Sequence, residues 1–195
     1  MISGMRGATF YKHILVLFLL SALQVFAQAA PNLLKDPSFE GSMGEREFSK
    51  HWTKFGRAFC ENITPRSKVF VAKLHGQFDG KTNYSGVYQD VPAKEGNRYI
   101  AGVYLRQNSG DVLEKGNEAW LKLEFFGEKH KLLGVHESPV KMNAKSPSNR
   151  WLYFSTGPCI APPGTVSARF VALFEQQSDA LGATLFDDAE LKELP

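Results

Sequence analysis

The chain has 195 residues, with 23 Lys and Arg against 20 Asp and Glu. That is enough for one domain with a substantial core. Its net charge of +3 owes much to the N-terminal stretch: without Arg6 and Lys12, 21 basic side chains face 20 acidic ones and the charge is +1. So even a balance excludes an electrostatic case for nucleic acid, and two cysteines are too few for a disulfide scaffold or a zinc site.

Arg6 and Lys12 form a positively charged start. Ile14 to Ala27 is an apolar run too short and too poorly flanked to span a membrane. Ala27-Gln28-Ala29 fits a small-x-small cleavage pattern, with Val25-Phe26-Ala27 as a second site. Residues 1–29 therefore read as a secretory signal peptide and residues 30–195 as a single exported domain, extracellular or periplasmic, with no membrane span after cleavage. Export puts Cys60 and Cys159 in an oxidising compartment. A disulfide between them and two separate small buried residues both fit.

Beyond the signal there is no long helical periodicity, repeat or linker. Short segments rich in Val, Tyr, Phe, Trp and Leu recur between Gly, Pro, Asn and Ser clusters. Val69 to Leu74 is the first clear strand. Gly86 to Val91 is the next, closed by Pro92 and a turn at Lys94-Glu95-Gly96-Asn97. In Tyr99 to Arg106, Ala101, Val103 and Leu105 form one row, with Gly102, Tyr104 and Arg106 in the other. In Ala119 to Phe126, Leu121, Leu123 and Phe125 face inward, and Trp120, Lys122, Glu124 and Phe126 outward. Trp151 to Ser155 and Ser167 to Glu175 follow, the latter after the breaker Pro162-Pro163-Gly164-Thr165. The expected fold is all-β, an antiparallel β-sandwich of the jelly-roll kind.

The last strand, Thr184 to Leu191, carries an oddity. Alternation puts Leu185, Asp187, Ala189 and Leu191 in one row, so a carboxylate sits where the rest reads as core. A buried carboxylate needs a partner or a metal. In a jelly roll the terminal strands can lie side by side, which brings the first segment of the mature chain, Asn32 to Glu40, against this one. Glu40 and Asp187 would then repel unless a hard cation such as Ca²⁺ lay between them.

Motifs for the common catalytic sites are absent: no Gly-x-Ser-x-Gly, no His-Glu-x-x-His, no phosphate-binding Gly loop. His51, His75, His130 and His136 lack metal-ligand spacing. No pair of carboxylates is placed around one cleft as a glycosidase needs, so no catalytic residue is expected. Aromatics are more telling, because a sugar ring stacks its C–H face on an aromatic ring while its hydroxyls need planar polar partners. Tyr104 and Trp120 project from the polar rows of their strands, with Arg106 and Glu124 on the same rows, and Glu175 ends another strand. These five are the candidate carbohydrate-binding residues; packing of Trp120 beneath a loop or second layer is the competing possibility. Trp52 and Trp151 read as core. Asn62-Ile63-Thr64 and Asn83-Tyr84-Ser85 match the glycosylation sequon.

Four pieces of the chain, in order, resemble carbohydrate-binding modules of the galactose-binding-like jelly-roll group, the kind attached to xylanases and glucanases. Asn32-Leu33-Leu34 through Ser38-Phe39-Glu40 is similar to the group's opening strand. Tyr88-Gln89-Asp90-Val91, Gly96 and Tyr99 to Arg106 resemble its middle hairpin. Trp151 with Pro163-Gly164-Thr165 resembles its late strand and turn, and Phe186 to Leu191 its closing strand. The resemblance implies a structural Ca²⁺ held by Glu40, Asp187 and the Ser38 carbonyl, and sugar binding on a sheet face. It departs from the group's habit in that no catalytic domain accompanies the module in this sequence. The expected function is a secreted, non-catalytic, polysaccharide- or oligosaccharide-binding protein, with carbohydrate-active enzymes or surface proteins as further partners. An extracellular adhesion module with protein partners is the alternative, and a glycan hydrolase or lyase comes third.

Overall fold

The computed structural model describes residues 30–42 and 46–195; the expected signal peptide lies outside them. The strands are β1 (Thr53–Phe55), β2 (Arg57–Glu61), β3 (Val71–His75), β4 (Asn83–Pro92), β5 (Arg98–Gln107), β6 (Glu118–Phe126), β7 (Leu132–Glu137), β8 (Met142–Asn143), β9 (Leu152–Ile160), β10 (Ser167–Gln176) and β11 (Ala183–Leu194). One 3₁₀ turn, Glu128–His130, is the helical element among the described residues. The first sheet runs β1-β4-β10-β6-β7, with β8 also on β6; the second runs β2-β3-β11-β5-β9. Every pairing is antiparallel. From β4 to β6 and from β9 to β11 the chain alternates between sheets. This is the expected jelly-roll sandwich.

The core lies between the sheets, where each strand sends its apolar row. Val87 and Val91 come from β4, Leu121, Leu123 and Phe125 from β6, and Ala168, Phe170, Ala172 and Phe174 from β10. Facing them are Ala72 and Leu74 of β3 and Ala101, Val103 and Leu105 of β5. Alternation thus identified the inward rows of β5 and β6 correctly. Strands β1, β2, β7 and β8 were not anticipated; they are short or exposed, and their rows carry little contrast. Trp52 is core, as expected, whereas Trp151 is only half-buried.

Two expectations about the chain ends need correction. The Asn32–Glu40 segment does lie beside β11, but it is not a strand. Asp36 and Phe39 adopt φ of 50° and 60°, which no strand allows. The segment is tied on by Leu33 N–H to the Leu191 carbonyl at 2.8 Å, Ala189 N–H to the Pro37 carbonyl at 2.9 Å, and the Asn32 side chain to Ala189 and Leu191. In β11 a bulge breaks the alternation: Asp187 pairs with Tyr104 and Glu190 with Gly102, so β11 has one residue more than β5 between them. Asp188, at φ 48°, is the extra residue. Before the bulge Phe186 faces the core, after it Ala189 and Leu191 do. Asp187 is therefore not in the core row; it is buried on the outer side of the second sheet.

The two cysteines do not pair. Cys60 on β2 and Cys159 on β9 are buried free thiols at opposite edges of the second sheet. Four strand spacings separate them, roughly 19 Å, against the ~4–7 Å between Cα atoms that a disulfide spans.

Phe39 is fully buried and fixes the opening segment to the core. Its ring lies 4.8 Å from Trp52 and 5.9 Å from Phe48, and Trp52 in turn meets Phe170 edge-on at 5.8 Å. Phe39→Ala should destabilise the domain by about 3–5 kcal/mol in denaturant unfolding; a loss below ~1 kcal/mol would mean the segment is not part of the core.

Candidate functional site

The outward rows of the sandwich carry the groups able to meet a ligand, and they form two separate faces. On the first sheet, register places Phe55, Gly86, Leu173 and Trp120 in one transverse row. Beside it lie Thr53, Tyr88, Val171, Lys122 and Glu137, then Asp90, Arg169, Glu124 and Val135. On the other side lie Tyr84, Glu175, Glu118 and Asn143. Of the five expected sugar-contacting residues, Trp120, Glu124 and Glu175 are on this face. Tyr104 and Arg106 belong to β5 in the second sheet and point the opposite way. The five do not form one site: alternation assigns a residue to the outer row of a strand, but not to one of two outer faces.

Trp120 points outward as expected, yet only 3% of it is exposed. The Lys141 ammonium sits 3.7 Å from the ring centroid and is held there by Glu118 at 3.1 Å. Trp120 thus forms the floor of the face, clustered with Val171, Leu173, Phe55 and Tyr88, rather than a platform. Its buried Nε1–H has no hydrogen-bond partner among the described residues, a costly state.

The accessible rings are ones that the sequence did not single out. Tyr84 is 46% exposed and stands beside Glu175. Phe55 lies across Gly86: a Cβ there would be 2.4 Å from its Cζ, so the ring needs a glycine under it. Arg169 covers Tyr88 and Phe126, with its Cζ 4.1 and 4.9 Å from their centroids, and grips Asp90 through two bonds of 2.6 and 2.9 Å. With Lys122–Glu137 and Lys141–Glu118, these pairs leave Glu124 and Glu175 outside the salt bridges of this face. Burial pushes the Glu124 carboxyl up from its ordinary range, against the pull of Arg169 and Lys122. Tyr84 and Tyr88 share one row of β4, a signal the sequence held.

The second face is organised around the β11 bulge. Asp187 Oδ2 accepts from the Arg66 and Ser67 amides at 2.9 and 3.0 Å, and Oδ1 from the Asp188 amide at 2.7 Å. Glu40 Oε1 accepts from the Val69 and Phe70 amides at 3.1 and 3.0 Å. The two carboxylates expected to share a cation thus grip neighbouring points of one segment. Ser38 meets not Asp187 but Asp188, through its hydroxyl at 2.7 Å. Burial pushes Asp187 up to about 6, assisted by the neighbouring Asp188 charge and opposed by the amides. Asp188, despite its burial, is held below the usual carboxylate range by Ser67, Ser38 and Arg66. No group of three or more His, Cys, Asp or Glu among the described residues is arranged for a metal. The fit to a hard cation rests on oxygen donors: two carboxylates that grip one segment, and an Asp187 charge that the amides leave undercompensated. Each carboxylate has about four lone-pair positions, so amide donors and a cation are compatible there.

Of the two sequons, Asn62 stands exposed, while Asn83 is buried and bonded to Asp79, Lys81 and Gln176.

No known protein family matches the sequence, and no curated protein matches it. Solved structures do match the fold. A family 61 carbohydrate-binding module in complex with β-1,4-galactotriose is 16% identical, with a TM-score of 0.56 over 85% of this chain and 100% of that one. The family 22 xylan-binding domain from Paenibacillus barcinonensis is 14% identical, with a TM-score of 0.55 over 86% and 97%. An arabinose-bound α-L-arabinofuranosidase is 11% identical, with a TM-score of 0.60 over 83% of this chain but 26% of the enzyme. The fold is the jelly-roll sandwich that these carbohydrate-binding modules share.

Lys141→Ala should uncover Trp120. The acrylamide-quenchable share of tryptophan emission should rise, and should not rise when Trp120→Phe is added; an unchanged share in Lys141→Ala alone would contradict the lysine cover.

Proposed function

We propose that this domain is exported and binds carbohydrate without altering it, holding a polysaccharide or oligosaccharide along the outer face of the first sheet. The observation that carries this is Tyr84, an exposed ring next to Glu175, in line with Phe55 over Gly86 in the adjacent row. Tyr84 and Tyr88 lie about 13 Å apart along β4 at ~3.3 Å per residue, so the face spans more than one sugar ring. Planar side chains fixed by their own partners, such as Arg169 by Asp90, offer hydrogen bonds to hydroxyls with little further loss of freedom. The neighbours' sugar ligands, β-1,4-galactotriose and xylan, support the ligand class.

Catalysis fits this face poorly. Glu124 lies opposite Arg169, six residues along β10 from Glu175. That is roughly 20 Å, well beyond the ~5–9.5 Å between glycosidase carboxyls. Glu118 and Glu175 are direct cross-strand neighbours, but they stand side by side on one face instead of on two sides of a bond, and Glu118 is held by Lys141.

Affinity electrophoresis against xylan, β-glucan, mannan and β-1,4-galactan should show retardation by at least one polysaccharide. Tyr84→Ala should weaken it about tenfold, equivalent to ~1.4 kcal/mol. Retardation by none favours the adhesion alternative, and new reducing ends would mean catalysis.

A structural Ca²⁺ belongs to the same proposal. Glu40, Asp187 and the Ser38 carbonyl would hold it, and it would supply the positive charge that Asp187 lacks. A metal that binds only the folded state stabilises it by ~2.7 kcal/mol at a hundredfold excess over Kd. Chelator should therefore lower the melting temperature of the wild type and leave that of Asp187→Ala unmoved; an unchanged wild-type melt would count against the metal.

A further inference from the structure

An aromatic ring laid over a glycine occurs once more, on the opposite face. Tyr153 of β9 lies across Gly102 of β5, where a Cβ would come within 2.2 Å of its hydroxyl oxygen. It borders a cleft of about 350 Å³ whose lining includes Pro37, Ser38, Tyr104, Asp188 and Glu190. That volume falls in the ~300–1,000 Å³ range of ligand clefts.

We propose that this cleft is a second carbohydrate-binding site, back to back with the first, which makes the domain bivalent. The ligand class rests on the function proposed above; the site rests on its own geometry. Tyr153 is 46% exposed and lines the cleft. Tyr104 stands 5.1 Å away at 56°, backed by the Arg66 guanidinium 3.5 Å from its centroid. Both rings are fixed before any ligand arrives, Tyr153 by its hydroxyl donating to Glu190.

Charge decides between ligand classes. Asp188 is paired with Arg66 and Glu190 with Lys192. A cation would gain little from carboxylates already neutralised, and an anion would meet their oxygens. A neutral polyol suits them. Glu190 accepts from Tyr153 and Lys192, and Asp188 from Ser38, Ser67 and Arg66. With about four lone-pair positions per carboxylate, acceptors remain for hydroxyl hydrogens. The rings take the C–H face of the same sugar. The cleft's small size suits one or two sugar rings, in contrast to the open first face.

The two faces belong to different sheets and point in opposite directions, so one short oligosaccharide cannot occupy both. Two polysaccharide chains, or two stretches of one, would be held by a single domain, with the gain in avidity that linkage confers.

Titration calorimetry on the domain, with xylohexaose and β-1,4-galactotriose as probes, tests this. Wild type should take two equivalents of at least one probe, Tyr84→Ala/Glu175→Ala one, Tyr153→Ala one, and the triple variant none. Binding retained by Tyr153→Ala at the first face is also its folding control. One equivalent in wild type, lost in Tyr84→Ala/Glu175→Ala and kept in Tyr153→Ala, overturns the second site and leaves the proposed function standing. One equivalent lost only in Tyr153→Ala upholds the cleft and overturns the placement on the first sheet. No uptake of either probe by wild type overturns both.

Discussion

The burial of the Asp187 carboxylate is the constraint on which the rest of the second sheet depends. A buried carboxylate without partners would cost several kcal/mol. Here backbone amides meet it: Arg66 and Ser67 across the sheet face and Asp188 next along the strand. That arrangement needs the extra residue in β11. The bulge turns Asp187 out while returning Ala189 and Leu191 to the core that Phe186 occupies just before it. It also aims Asp188 at Ser38, Ser67 and Arg66, tying the opening segment and the 66–70 segment to the central strand of the sheet. Arg66, so placed, backs Tyr104. A packing problem in one strand thus sets the shape of the cleft beside it.

The same sandwich presents two chemically different surfaces. The first sheet is broad, with salt bridges interleaved among rings, a buried indole as floor and an exposed tyrosine at one end. The second is narrow, with Tyr153 over a glycine and against Tyr104, beside neutralised carboxylates. In both, a glycine in mid-strand leaves room for the end of a ring against the backbone. Gly86 and Gly102 are weak choices for strand propensity, so their use at two such points is consistent with surfaces shaped for rings to lie on.

Much of the fold was legible because alternation is a local property. The rows of β5 and β6 follow from Ala101, Val103 and Leu105 and from Leu121, Leu123 and Phe125 without reference to anything distant. Asp187 was recognisable as anomalous, but its side of the strand was not, since one residue at positive φ inverts the row and Asp188 announces no such thing in sequence. The site was less legible for a topological reason. Tyr104 and Trp120 look equivalent along the chain, yet β5 and β6 belong to different sheets. Nor does local sequence tell that Lys141, twenty-one residues on, covers Trp120. For Cys60 and Cys159 the sequence left a disulfide and two separate buried thiols open, and the fold gives the second: a shared compartment does not make two residues neighbours.

The proposed function places a sugar on the outer face of the first sheet. Backbone amide chemical shifts of the domain, followed through a xylohexaose titration, test it most directly. A contiguous set of amides on β4, β10 and β6, centred on Tyr84, Gly86 and Glu175, should shift and saturate with ligand. A saturable response that spares those strands would contradict it.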